Sequence, residues 1–284
     1  MKLVKPQWEI WEQEPGIQGI YKAIERTGRV CYRSEDKITE DSAKPFVDRM
    51  IASGHGAVLE HGTVYLAIPY DYVDVSCKLE IPIVSDIVEK YKKNPHTEWH
   101  MRDDGFSRLA FITTNYRVLV ENDWLDDLKY LCEPTEYHAK RITVHFVCDR
   151  GVSHEFVRHR VFSFAQESTR YCNYSKDKFS NEVTFIQPCW TLAPIVPEDF
   201  RGEHFLDALE NAEKEYLYLI ENGWKPQQAR AVLPNALKTE LVMTGFVSDW
   251  RHFFELRTPV NAHPQARELA IPLREEFIKR GLIK

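Results

Sequence analysis

Three arginines, one histidine, two serines and a glutamine fall within residues 158–171: Arg158, His159, Arg160, Ser163, Gln166, Ser168 and Arg170. A guanidinium stays cationic at any working pH and presents a planar fork of donors that matches phosphate or carboxylate. Three of them, interleaved with hydroxyls and aromatic rings, suit an anionic planar ligand such as a nucleotide. Arg158 and Arg160 cannot share a helix face, because residues two apart point in different directions. In an extended segment they share one face, with His159 on the other. If the next stretch is helical, Ser163, Gln166 and Arg170 line one stripe and Val161, Ala165 and Ser168 face the core. The competing reading is a solvated basic segment on a surface helix.

Two other groups invite a metal reading. His55, Glu60 and His61 lie close in sequence, as do His154, Glu155 and His159. Neither has the His-Glu-x-x-His spacing that places two imidazoles on one helix face, so no metal is expected.

The elements that must position these residues are readable in outline. Helical periodicity marks 17–26, 41–53, 149–157, 203–222, 249–256 and 264–279. Phe46, Val47, Met50 and Ile51 form one buried face, and Ala266, Leu269, Ala270, Leu273 and Phe277 another. Phe205, Leu209, Ala212, Tyr216 and Leu219 form a third, which Gly223 closes. Strand-like stretches cover 63–68, 109–120, 142–148 and 237–247, with a turn at Thr114 and Asn115. Short helices are expected at 85–93, capped by Ser85 or Asp86, and at 123–132. Residues 30–34 read as a turn and 173–181 as a loop.

Composition narrows the class. A chain of 284 residues with 43% hydrophobic and 28% charged residues is that of a globular protein. A net charge of -6 argues against a general nucleic-acid binder. Within 150–170, four arginines against Glu155 and Glu167 leave +2, a local positive patch that suits a small anion. No apolar run approaches the roughly 20 residues that span a bilayer. The first residues lack the apolar stretch of a secretion signal. Six scattered cysteines form no Cys-x-x-Cys pair, which reads as reduced thiols in the cytoplasm.

The string Arg-His-Arg-x-x-Ser-x-x-x-x-Ser-x-Arg resembles the signature of the flavin-dependent thymidylate synthases. Three further stretches resemble the same family in the same order. Residues 54–61 carry Gly-His-x-x-x-x-Glu-His before a strand. Residues 224–234 place Arg230 before Pro234. Residues 250–257 end at Arg257, followed by Ala262, His263, Pro264 and Gln265.

The resemblance implies an α+β fold with a central mixed, mostly antiparallel sheet flanked by helices. It implies one domain over 1–284, with an insertion at about 70–141, assembled as a homotetramer with shared active sites. It implies reductive methylation of dUMP to dTMP, with methylenetetrahydrofolate as carbon donor and NADPH, through FAD, as hydride source. Neither nucleic acid nor membrane is an expected partner. Arg257 matches the catalytic arginine that favours ionisation of the uracil N3. Glu155, Arg158, Gln166, Glu167, Ser168, Thr169, Arg170, Arg230 and Arg257 match dUMP-binding positions. His55, Ala57, Arg158, His159, Arg160, Gln166, Ser168, His252 and His263 match FAD-binding positions.

Several positions depart from the family pattern. Ala57 stands where a hydroxyl is common, His252 where some relatives carry asparagine, and Glu167 where an uncharged residue is common. A carboxylate there would repel a phosphate, so Glu167 is expected to point away or pair with an arginine. The Pro188–Cys189 pair echoes the nucleophile of the cysteine-dependent thymidylate synthases, but Trp190 replaces the histidine that follows there. Cys189 therefore reads as a buried structural cysteine. A non-catalytic nucleotide- or RNA-binding protein using the same arginines is the alternative from another class.

Overall fold

The computed structural model describes residues 1–75, 79–83, 86–103, 108–190 and 200–284. Two short strands open it, β1 (Lys2–Val4) and β2 (Gln7–Trp11). Helix α1 (Gly16–Tyr32) buries Ile20, Ile24 and Val30 and runs through part of the expected turn at 30–34. It ends at Arg33, whose left-handed backbone (φ 50°) lets its N–H reach the Val30 carbonyl. Helix α2 (Ala43–Ala52) buries Phe46, Val47 and Met50, and Gly54 follows at φ +69°. A 3-10 segment, Gly56–His61, leads into β3 (Thr63–Pro69).

The region from 70 to 141 holds β4 (Asp71–Val75), β5 (Leu79–Ile83), α3 (Asp86–Lys92), β6 (Glu98–Asp103), β7 (Arg108–Asn115) and α4 (Tyr116–Glu121). Ser85, one of the two caps expected for α3, lies outside the described residues. The apolar run from 109 breaks at Asn115, as its turn residues suggest. The Asn115 side chain accepts from the Val118 N–H, so the rest of the run is helix, not strand. The helix expected at 123–132 is a 3-10 segment, Leu125–Tyr130.

Strand β8 (Arg141–Asp149) passes into α5 (Arg150–Phe156), capped by Asp149 through the Val152 N–H at 2.6 Å. Then follow β9 (Ser163–Gln166), β10 (Thr184–Ile186), α6 (Phe200–Glu221), α7 (Pro226–Ala229), β11 (Lys238–Phe246), α8 (Val247–Arg257) and α9 (Pro264–Lys279).

Antiparallel pairing dominates, but it is spread over separate sheets where one central sheet was expected. The largest has the order β2-β8-β11-β9, with every pair antiparallel. A second has the order β3-β7-β6, and β4 pairs with β5. Only the β1–β10 pair is parallel among the described strands.

Side-chain alternation assigns each face of the large sheet. Leu241 and Met243 join Val144, Phe146 and Cys148 in a core roofed by Trp250, Phe253, Leu269 and Phe277 of α8 and α9. Between them, Val242 turns the other way, to Ala165 and Val30 of α1. The second core packs α1 and α2 on β3 and β7, with Tyr91 of α3 and Leu119 of α4. Strand β7 pairs with β3 from Thr63↔Asn115 to Pro69↔Leu109, so the 70–141 region is built into this core. Among the described residues, no helix is long and apolar enough to cross a membrane.

Phe253 is fully buried, its ring 5.0 Å from Phe156, 5.3 Å from Trp250 and 5.0 Å from the His159 imidazole. Phe253→Ala is expected to lower stability by about 3–5 kcal/mol in urea unfolding. A loss below about 1 kcal/mol would mean that the site collapses around the missing ring.

Candidate active site

Strand β8 and the Asp149 cap launch α5, which delivers Glu155 and then the arginine segment. Strand β11 launches α8, whose last residue is Arg257. The two lines meet at one guanidinium. Arg257 donates from Nε to His159 Nε2 at 2.9 Å, from Nη1 to the Glu155 carboxylate at 2.5 Å, and from Nη2 to the Glu155 carbonyl at 2.7 Å. Burial lowers the pKa of Arg257, and the Glu155 charge opposes that shift.

His159 is buried beside Phe253, and its ring lies 6.3 Å from His252. Burial first, then the charges of Arg257 and His252, push its pKa down to about 4. A neutral imidazole has one bare nitrogen, and here it accepts from Arg257. Two of the five guanidinium N–H groups have no partner among the described residues.

After the arginines the chain is a strand, so the condition that it be helical is not met. β9 pairs with β11, Ser163 opposite Thr244 and Gln166 opposite Leu241. The alternation of Ser163 and Ala165 with Phe164 and Gln166 fills the open edge of β11, and that tertiary slot overrides the helical spacing. Val161 is 66% exposed instead of facing the core. Gln166 Nε2 donates to Ser153 Oγ at 2.8 Å and Thr239 Oγ1 at 3.2 Å, which leaves its carbonyl oxygen to accept.

Glu167 is turned into the protein and is only 2% exposed. It accepts from Lys238 Nζ at 2.9 Å and from the Tyr174 hydroxyl at 3.1 Å, with an Arg33 nitrogen at 4.0 Å. The expected cation is thus mainly a lysine. Glu240 joins the same cluster through Arg33, Lys238 and His145. Arg33 and Lys238 balance Glu167 and Glu240, which meets the condition for burying charge.

The cluster lies under the next predicted residues. Ser168 N–H donates to the Cys31 carbonyl at 3.0 Å, and Arg230 donates to Thr169 Oγ1 at 2.9 Å. Arg170 is exposed and lies over the Tyr171 ring. The cluster escaped the sequence reading, although Lys238 and Glu240 on one face of an apolar strand were a visible signal.

A third group lies in a cleft of about 750 Å³ whose lining includes Ala57, Arg141 and Arg160. Arg141, also missed from sequence, donates to the Glu60 carbonyl at 3.0 Å and Ser163 Oγ at 3.3 Å. Burial lowers its pKa to about 10. Arg158 and Arg160 are exposed, and their guanidinium groups have no hydrogen bond or ion pair among the described residues. Of the remaining predicted residues, His252 sits beside His159, and His55 and His263 meet none of these groups among the described residues. His55 is exposed beside Ser53, His252 lies on the surface 3.5 Å from Glu255, and His263 opens α9 with its ring 6.1 Å from Trp190.

Cys189 is exposed, which corrects the expectation of a buried thiol. It lies at the surface in the turn that follows β10. Partial desolvation, then the Glu268 charge, raise its pKa. A raised pKa disfavours the thiolate that a nucleophile needs.

These elements define a mixed α/β protein that brings arginines and hydroxyls together. A family model described as thymidylate synthase complementing protein matches residues 133–280, just over half of the chain. The chain belongs to that family. The match takes in the arginine segment, Arg230 and Arg257, and leaves His55 and Ala57 outside.

The chain is 27% identical over 279 residues to the flavin-dependent thymidylate synthase of Corynebacterium aurimucosum, covering 94% of this chain and 79% of that one. It is 32% identical over 124 residues to the flavin-dependent thymidylate synthase of Geobacter sulfurreducens, covering 44% of this chain and 50% of that one. The match thus spans half the length of that second relative. A solved structure of a UMP/dUMP methylase from Streptomyces cacaoi, bound with 5-Br dUMP, overlaps 98% of this chain and 93% of its own at a TM-score of 0.45 and 18% identity.

Two buried histidines and one half-buried histidine set an acid limit. His61, which meets Thr244 Oγ1 at 2.8 Å, is pushed from 6.5 to about 3 by burial and then by Arg141. His145 is pushed to about 4 by burial and then by Lys238, despite its 2.8 Å contact with Glu240, whose charge is shared with Arg33 and Lys238. With His159, all three have folded values below the unfolded 6.5. The unfolded chain therefore takes up these protons first. Stability is full above about pH 6.5 and falls toward pH 4, at up to about 1.4 kcal/mol per pH unit for each histidine. The raised carboxyls of Asp149 and Asp249 act in the opposite sense. Urea unfolding at stepped pH is expected to show the decline; a flat profile from pH 7 to pH 4.5 would contradict the neutral assignments.

Proposed function

We propose that this protein is a flavin-dependent thymidylate synthase. It methylates dUMP to dTMP, takes the methylene from methylenetetrahydrofolate, and takes the reducing hydride from NADPH by way of FAD. The observation that carries this reading is the Arg257 guanidinium, held by Glu155 and His159 with two N–H groups to spare. Membership of the family supports it.

The reaction requires a nucleophilic C5 on the uracil ring. With the Cys189 thiol held protonated, charge on the ring must be stabilised without covalent attack. A fixed guanidinium does this electrostatically, and more strongly where water is excluded. Neutral His159 takes no charge from Arg257 and holds its Nε edge. Arg158, Ser168, Thr169, Arg170 and Arg230 hold the nucleotide and its phosphate. Gln166 offers its free carbonyl oxygen to a ring N–H. Glu167 stays bound to Lys238 and keeps its charge away from the phosphate.

The cleft bearing Ala57 and Arg160 has the volume of a cofactor site, and its free guanidinium suits a phosphate, so FAD fits this lining. FAD, when bound, supplies the hydride chemistry, and the protein supplies placement. Arg158, His159, Arg160, Gln166 and Ser168 hold it, with His55, His252 and His263. His55 and His263 stand apart from these groups within one chain, which favours a homotetramer whose sites draw on neighbouring copies. Exposed Val260, Leu256, Tyr171 and Trp190 near these residues suit such contacts.

Arg257→Ala is expected to abolish dTMP formation, by roughly a thousandfold or more in kcat, the scale of losing a preorganised electrostatic group. Lysine should not rescue it, since a point charge cannot reproduce the three-way hold. The measurement is dTMP yield from dUMP in the complete assay, with Cys189→Ser as the active comparison. Near-wild-type turnover in Arg257→Ala would remove the residue from the mechanism. Complete loss in folded Cys189→Ser would restore a cysteine nucleophile.

A further inference from the structure

The cleft that carries Ala57 and Arg160 is also lined by the turn before β6 and the start of α4, including Asn94, His96, Glu98, Arg117 and Glu121. This lining is held firmly. Arg117 bridges Glu60 at 2.6 Å and Glu121 at 2.7 Å. The turn is closed by the His96 N–H on Asn94 Oδ1 at 2.9 Å and tied to β7 by Thr97 Oγ1 on Thr114 Oγ1 at 2.9 Å.

The charges in the cleft are not spread evenly. The charge of Arg117 is neutralised by two carboxylates, and Arg141 is occupied by oxygen acceptors. Arg160 has no partner among the described residues. The side chains of His96 and Glu98 likewise have no hydrogen bond or ion pair among the described residues, and both are exposed. A phosphate is therefore attracted at Arg160 and repelled at Glu98. A carboxylate instead accepts bonds from hydroxyls, and an imidazole hydrogen-bonds with them through its ring nitrogens.

Resting on the flavin reading above, we propose that His96 and Glu98 recognise the ribose hydroxyls in the adenosine half of the bound dinucleotide. The order of groups supports that half over the ribityl chain. Arg160 follows His159, which is bonded to Arg257 at the reacting end of the proposed site. The phosphates lie at Arg160, so the ligand beyond them is the adenosine. The 70–141 region thus adds a binding surface to the cleft as well as a core.

The test is flavin titration of the whole purified protein, followed by flavin fluorescence, with FAD and with FMN, which lacks the adenosine half. The paired substitution His96→Ala and Glu98→Ala is expected to weaken FAD about tenfold, the scale of one or two hydrogen bonds. FMN affinity and melting temperature stay unchanged. Arg160→Ala is expected to weaken both flavins. Unchanged FAD affinity in the folded double variant, with Arg160→Ala still weakened, would overturn the ribose assignment and leave the flavin reading standing. An equal loss for FAD and FMN would also overturn it. A wild-type protein that binds neither flavin would overturn the flavin reading and this assignment together.

Discussion

The hold on Arg257 is the interaction on which the rest of the site depends. Three acceptors fix one guanidinium, and they come from two constraints. The Glu155 carboxylate and carbonyl come from the end of α5. The His159 nitrogen is available because burial keeps that ring neutral. The ring stays in place because it lies against Phe253, deep in the core of the large sheet. A charge at the surface would swing and be screened by water. This one is oriented before any ligand arrives, and such preorganisation makes electrostatic stabilisation effective.

The same economy of charge appears beneath the nucleotide segment. A buried carboxylate, Glu167, and three half-buried charges, Arg33, Lys238 and Glu240, meet at the end of α1 and beside β9 and β11 where an apolar cluster would be simpler. Burying such groups stabilises little on balance, but breaking one partner leaves an uncompensated charge. The cluster therefore acts as a latch on geometry. It ties Glu167 to β11 and the end of α1, so Ser168, Thr169 and Arg170 leave the sheet in one direction.

The long helices were legible because their apolar stripes repeat over many turns, and α6 and α9 lie where the spacing puts them. Local spacing failed where a distant partner decides. Residues 163–166 look helical in isolation and become a strand because β11, some 75 positions later, offers an edge. β1 and β2 went unseen for the same reason, since their partners are β10 and β8. The identities of Glu155, His159 and Arg257 came from resemblance to a family motif. Their mutual contact, across about a hundred residues, came only with the fold. Arg33 and Arg141 belong to no motif, and only the fold reveals their partners.

The central claim is that nucleotide and flavin meet in one site beside Arg257. The most direct measurement is a dUMP titration of the FAD-loaded, desalted protein, read as the visible absorption spectrum. The account predicts a retained flavin band that shifts and saturates as dUMP is added, with the shift lost in Arg257→Ala. A protein that binds FAD and dUMP but whose flavin spectrum does not respond to the nucleotide would contradict it.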